Sequence, residues 1–251
     1  MTENLGLRQK VALRAQRAAG HAAGVLLLWP ATVAWMRGPR GYRIRRIAEV
    51  RRRARQLLAE APGPVIVCPN HLTWIDSVLV QWALFSPSRV LRSYETFAWN
   101  LPEQTNFYSN FWLRIYCYFG KCIPITRGGD RKEQKLAMSK IAYLLRKGDL
   151  VMVFPEGGRS QTGRVERESV AYGVGRMVKA VDDCRVLCVY LRGDRQDRPS
   201  ILPDENQTFS VDMELFQPRA ESGGLRATRE ISTQIVEKLA ELEGRHFAVA
   251  R

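Results

Sequence analysis

The chain has 251 residues, 45% of them hydrophobic and 25% charged. These are values of an ordinary folded chain, and they exclude wholesale disorder, a collagen-like fibre and a multi-span membrane protein. Its 39 Lys and Arg against 25 Asp and Glu give a net charge of +14, which predicts an anionic partner: nucleic acid, a membrane surface or an acidic substrate.

The charge is unevenly spread. Residues 1–60 hold 13 Lys and Arg against 3 acids, whereas residues 61–251 hold 26 against 22. Within the first quarter, residues 18–36 are uncharged and contain Leu26, Leu27, Leu28, Trp29, Val33 and Trp35. A spanning helix needs about 20 apolar residues, and Gly20, His21, Gly24, Pro30 and Thr32 weaken this run. Arg8, Lys10, Arg14 and Arg17 precede it; Arg37, Arg40, Arg43, Arg45 and Arg46 follow. Cations on both sides and two tryptophans predict a helical segment lying in one membrane interface, at an anionic surface. Below that reading stand a buried core helix followed by a solvated basic helix, then a spanning helix. Nucleic-acid binding ranks last, because no helix-turn-helix, zinc or RNA-recognition pattern occurs. No small-residue cleavage site follows a short apolar core, so no signal peptide is expected. Ile44, Ile47, Ala48, Ala54, Leu57 and Leu58 put residues 42–60 at helical spacing among many arginines.

From residue 61 onward, short apolar runs alternate with helical patterns. Val65-Ile66-Val67-Cys68 reads as a buried strand and residues 75–84 as a helix. Val90-Leu91 reads as a short strand. Cys122-Ile123-Pro124-Ile125 reads as another, its pairing restricted by proline. Residues 130–148 follow helix spacing, ended by Gly148. Residues 150–154 form a buried strand, 169–181 a helix, 186–191 a strand, and 225–242 a closing amphipathic helix. Residues 193–224 are polar and turn-rich, a surface excursion. The alternation predicts an α/β layered fold with a largely parallel central sheet flanked by helices. The division expected is a membrane-associating segment over 1–60 and a main domain over 61–251. The five cysteines (Cys68, Cys117, Cys122, Cys184, Cys188) have no Cys-x-x-Cys pair and no nearby His at ligand spacing. Reduced core thiols are expected, and no metal.

Three constellations carry chemistry. Asn70-His71-Leu72-Thr73-Trp74-Ile75-Asp76 lies where a strand opens into a helix, the usual ligand end of an α/β sheet. Its spacing lets the Asp76 carboxylate reach one imidazole nitrogen of His71, leaving the other as a base toward a hydroxyl. By spacing alone a plainer reading stands slightly ahead: Asp76 as a helix N-terminal carboxylate beside a solvated histidine. The second, Phe154-Pro155-Glu156-Gly157-Gly158-Arg159-Ser160, also follows a strand. Its glycines permit close backbone approach, Arg159 suits a phosphate, and Glu156 suits that Arg or a substrate hydroxyl. A Gly-rich turn with a surface Arg explains it equally well, and it is not a Walker loop. The third is a strand delivering Arg127 at its end, against the alternative of an ordinary exposed Arg. The aromatic-rich residues 97–119 read as core packing, an acyl-binding surface or a membrane contact.

Together and in this order, the Asn-His-x-x-x-x-Asp block, the strand ending in Arg127 and the Phe-Pro-Glu-Gly-x-Arg-Ser block resemble the glycerolipid acyltransferase family. Its best-known members are 1-acylglycerol-3-phosphate (lysophosphatidic acid) acyltransferases. The resemblance covers about residues 62–192. It implies that His71 is the general base on the acceptor hydroxyl and that Asp76 orients it. It implies that Arg127 binds the acceptor phosphate, and that Glu156, Gly157 and Arg159 form the acceptor-binding block. The donor implied is an acyl thioester of acyl carrier protein or coenzyme A, with no other cofactor. Backbone N–H groups near Gly157 are candidate oxyanion donors. Two departures concern the acceptor: Gly158 stands where the family most often has Thr, and Val186-Leu187-Cys188-Val189-Tyr190 lacks the usual central proline.

The function implied is acyl transfer to 1-acylglycerol-3-phosphate, giving phosphatidic acid, at the cytoplasmic face of the cell membrane as a peripheral or monotopic protein. The alternatives are a different lyso-lipid or accessory-lipid acceptor, and a non-catalytic basic membrane-docking protein. Docking needs neither the His71/Asp76 pair nor the Glu156/Arg159 pair.

Overall fold

A computed structural model describes residues 5–61, 63–126, 128–168 and 170–249. Helix α1 (Leu7–Arg37) leads through strand β1 (Arg43–Ile44) to α2 (Ile47–Ala59) and the central strand β2 (Val65–Pro69). There follow α3 (Asp76–Leu84), α4 (Pro87–Arg92), β3 (Trp99–Asn100), α5 (Phe111–Phe119), α6 (Arg131–Arg146) and β4 (Val151–Met152). The chain closes with α7 (Gly173–Lys179), β5 (Arg185–Gly193), β6 (Thr208–Phe216) and α8 (Gly224–Val249).

The six strands form one sheet in the order β1-β6-β5-β2-β4-β3. All neighbours run parallel except β5 and β6. β2 is buried on both faces because its two alternating sets are both apolar. Val65 and Val67 pack with α2, α3 and α4 through Ala54, Leu79 and Val90. Ile66 and Cys68 face α6, α7 and α8 through Ile141, Val174 and Ile235. The α/β layered architecture with a largely parallel sheet is therefore as expected.

α1 belongs to both layers. Leu13 joins the α6–α8 side, and Val25, Trp29, Val33 and Met36 join the other. The helix is long and apolar enough to cross a membrane, with an 18-residue window of mean hydropathy 1.3, yet 33% of that window is buried in the protein. Trp29 is thus a core residue, packed edge-on against Phe97 at 5.3 Å, rather than an interfacial one; Trp35 is partly exposed. Residues Gly20–Leu28 are π-helical and lie against the end of α5, where a Cβ added at Gly24 would sit 2.5 Å from the Phe119 carbonyl oxygen. Arg17 is pinned by Asp149 at 2.7 Å, and the other oxygen of Asp149 takes buried Lys121 at 2.9 Å. One of the cations expected to face lipid is therefore used internally.

Five local expectations change. Val90 and Leu91 lie in α4, because Ser86 caps the helix by accepting from Arg89 N–H and Pro87 opens it. Residues 193–224 contain β6, whose Phe209, Val211, Met213 and Leu215 face the core. Its Asp212 and Glu214 on the other face pair with Arg245. Cys122 and Ile125 make only single bridges, to Asn100 and Glu103. Residues 43 and 44 are strand, and α2 starts after Arg46 in a left-handed conformation. The expected 169–181 helix shortens to α7, and residue 169 lies outside the described residues.

Candidate active site

The site is built where β2 ends. Past Pro69 the Asn70 side chain takes over the pairing with β5: its Oδ1 accepts from Leu191 N–H at 2.8 Å and its Nδ2 donates to Leu191 O at 3.1 Å. The chain then turns through His71 into α3, which opens at Asp76. Asp76 is 2% exposed. Its Oδ2 accepts from Leu72 N–H (2.5 Å), Thr73 N–H (2.7 Å) and His71 Nδ1 (3.0 Å), and its Oδ1 from the Thr73 hydroxyl (2.5 Å). A carboxylate can only accept, so the hydrogen-bond network assigns the His71 proton to Nδ1 and leaves Nε2 its lone pair. The ring is stacked on Phe154, centroids 3.9 Å apart and planes at 19°. The plainer reading and the chemical one are both realised: Asp76 sits at a helix N-terminus, and from there it holds the imidazole.

The second block lies beneath and beside this loop. Gly157 has φ +71°, and a Cβ there would meet the Ala171 Cβ at 2.9 Å, so both conformation and space require glycine. Its N–H donates to Phe154 O at 3.1 Å. That N–H, one of the backbone donors near Gly157 considered for an oxyanion, is consequently spent on the turn. Glu156 is buried under His71, its Oε1 accepting from the His71 N–H at 3.0 Å. Burial pushes its carboxyl up to about 8, although the hydrogen bonds from His71 and Glu166 N–H oppose the shift. On the other side Ser160 N–H donates to His71 O at 2.9 Å. Glu166 ties the block together, accepting from Gln161 N–H (2.6 Å), Thr162 N–H (3.1 Å) and the Ser160 hydroxyl (3.3 Å). Those bonds hold its carboxyl below the ordinary range, the Gln161 N–H contributing most. Arg159 donates to Ser200 O at 3.2 Å and lies 5.7 Å over the Trp74 ring.

His71, Gly157 and Arg159 line a cavity of about 1380 Å³, larger than the roughly 300–1,000 Å³ of common small-molecule sites. Its wall is mostly apolar and includes Trp29, Trp35, Trp74, Phe107, Leu113 and Met177. Asp76 and Glu156 stand behind this wall and act on it through His71. Arg127 lies outside the described residues; its neighbours Thr126 and Gly128 border the cavity. Among the described residues no group of three or more His, Cys, Asp or Glu is placed to hold a metal ion. Sequence reasoning missed Asn70, Thr73, Phe154 and Glu166 as positioning groups. Thr73, three residues before an Asp that opens a helix, was the readable one among them, as a side-chain turn signal.

The acyltransferase family model matches residues 48–192, which contain His71, Asp76, Glu156, Gly157 and Arg159. The chain belongs to the acyltransferase family. It is 29% identical over 115 residues to a Dictyostelium discoideum protein named Taffazin, covering 46% of this chain and 38% of that one. It is 33% identical over 97 residues to an Arabidopsis thaliana N-acylphosphatidylethanolamine synthase, covering 38% and 33%. The chain thus spans little more than a third of the length of these curated relatives. Its His71 lies on the wall of the apolar cavity, with Asp76 behind it.

Proposed function

We propose that this acyltransferase works at a membrane surface, moving a fatty acyl group from a thioester of acyl carrier protein or coenzyme A to the hydroxyl of a lyso-lipid. The observation that carries this reading is the 3.0 Å contact from His71 Nδ1 to buried Asp76 at the edge of the 1380 Å³ cavity. In the step proposed, Nε2 of His71 takes the acceptor proton as the oxygen attacks the thioester carbonyl. The tetrahedral intermediate then expels the thiolate, which takes the proton back from His71. Asp76 stabilises the imidazolium between those events. Phe154, the hydrogen bonds of Asn70 and Thr73, and the Glu156 oxygen that accepts from His71 N–H keep the ring and its loop in place.

We propose 1-acylglycerol-3-phosphate as the acceptor, with Arg127 and Arg159 meeting its phosphate and Gly157 allowing its approach. A second reading keeps acyl transfer and changes the acceptor, to a different lyso-lipid or accessory lipid. It is favoured by Gly158 and by a relative whose name gives its product as an N-acylated phospholipid. The membrane face proposed comprises exposed Leu26 and Leu27 of α1 with Phe111 and Trp112 of α5, on the cytoplasmic side as a monotopic protein. Mass spectrometry of products from a panel of lyso-lipids with a labelled acyl thioester separates the acceptors. His71→Ala is expected to lower transfer by about 10²–10⁴-fold with unchanged circular dichroism; full activity in that variant overturns the mechanism.

A further inference from the structure

One pair of side chains on the cavity wall has no part in the acyl-transfer step. α5 ends at Gly120, whose N–H donates to Tyr116 O at 2.8 Å. Lys121 then takes a left-handed conformation, φ +54°, and Cys122 N–H closes back on Cys117 O at 3.0 Å. This six-to-one closure brings the side chains three residues before and two after the helix cap together, and here both are cysteines. The Cys122 thiol lies 3.7 Å from the Gly120 carbonyl oxygen at the same turn. A non-glycine residue is unfavourable in the left-handed region, but Lys121 is held there by its fully buried ammonium, bonded to Asp149 (2.9 Å) and Tyr94 O (3.2 Å). The turn is therefore fixed, and the thiols with it.

The two sulfurs differ in character. The hydrogen bond with Cys122 holds the Cys117 thiol below its ordinary value, and the same contact with burial pushes Cys122 up. Both residues border the cavity, Cys122 half-buried and Cys117 3% exposed. Cys68, Cys184 and Cys188 are buried in the core away from it, and burial pushes the Cys184 thiol up to about 12.

We propose that Cys117 and Cys122 are a redox modification site, forming a reversible disulfide with hydrogen peroxide as oxidant. The Cys117 thiolate attacks one peroxide oxygen and breaks the O–O bond, giving a sulfenic acid and hydroxide, which is protonated to water. The Cys122 sulfur then displaces the sulfenic hydroxyl, its proton leaving with that group as a second water. The S–S bond forms, and two electrons pass from the dithiol to the peroxide. A small dithiol reverses the reaction by exchange. The bridge stiffens the junction on which α1 also rests, since Gln16 Nε2 donates to Cys122 O at 3.0 Å and Tyr118 O at 3.1 Å.

The test treats the full-length native protein with hydrogen peroxide, alkylates the remaining thiols after denaturation, and maps them by peptide mass spectrometry. Trypsin cleaves at Lys121, between the two cysteines, so the bridge is read as a linked pair of peptides. The expected result is selective loss of alkylation at Cys117 and Cys122, restored by dithiothreitol, with the other three cysteines alkylated. Cys122→Ser should accumulate a sulfenic acid at Cys117, trapped by dimedone, and Cys117→Ser should leave Cys122 unreacted. A bridge between another pair, five alkylated thiols, or a Cys117→Ser protein that oxidises as fast as the wild type overturns the proposal. The readout is a mass, so it is independent of whether the acyl-transfer reading holds.

Discussion

Asp76 does three tasks with one carboxylate: it caps two backbone N–H groups, ties down the Thr73 hydroxyl and holds His71. Glu156 does a related task from below, and its environment makes it pH-sensitive. Its carboxyl is raised to about 8 from an ordinary 4.5 by burial. The folded chain therefore keeps this proton where the unfolded chain has lost it. The stabilisation from this group is fully present below about pH 4.5 and is lost as pH rises through about 8. Glu156→Gln keeps an acceptor for the His71 N–H and removes the titration. Melting temperatures of the wild type should fall relative to those of Glu156→Gln between pH 5 and 8; parallel curves would contradict the assignment. At this scale the His71/Asp76 spacing was legible, because both residues are local to one turn. The seat of Glu156 was not, because it lies 85 residues from the backbone group it holds.

At the level of elements, α1 is the least readable. Its sequence looks like a lipid-facing run with weakening glycines, yet those glycines are where it packs. Gly24→Val should drive a side chain into the Phe119 carbonyl, which is backbone and cannot rotate away. Overpacking of this kind costs about 1–3 kcal/mol, measurable as a lowered denaturant midpoint; an unchanged midpoint would mean that α1 does not press on α5. The same helix inserts Val25, Trp29, Val33 and Met36 into the core, each worth about 1.5–3 kcal/mol when fully buried. Removing residues 1–60 would thus open the core as well as take away the proposed membrane contact. β6 was legible but unread: Phe209, Val211, Met213 and Leu215 alternate at period two, and the flanking turns and charged intervening residues masked them. β2 and β5 were readable because strands buried on both faces are apolar throughout.

For the whole molecule, the cavity is the feature that no segment contains. α1 supplies Trp29 and Trp35, α5 supplies Leu113, and the loops after β2 and β4 supply His71 and Arg159. The proposed membrane face is also composite. Leu26 and Leu27 are 57% and 69% exposed and can be changed without touching the core. The double change Leu26→Gln with Leu27→Gln should lower sedimentation with anionic vesicles on the order of tenfold per leucine, with the melting temperature held. High salt should weaken the wild type further through its basic residues. Undiminished sedimentation would place the membrane contact elsewhere.

The sequence alone determined the α/β class, the central strands, the offset of Asp76 from His71 and the family resemblance that implies their pairing. Each of these rests on short-range pattern: alternation along a strand, helical spacing, or a fixed offset within one turn. Its +14 also placed most of the positive charge in the first 60 residues. Only the tertiary structure decided how that segment is used. Arg17 goes to an internal ion pair, Trp29 to the core and Trp35 to the cavity wall, because those outcomes depend on what lies opposite each side chain. The partners are Asp149, Phe97 and the cavity itself. They come from segments far along the chain, and no local pattern around residues 17–35 encodes them.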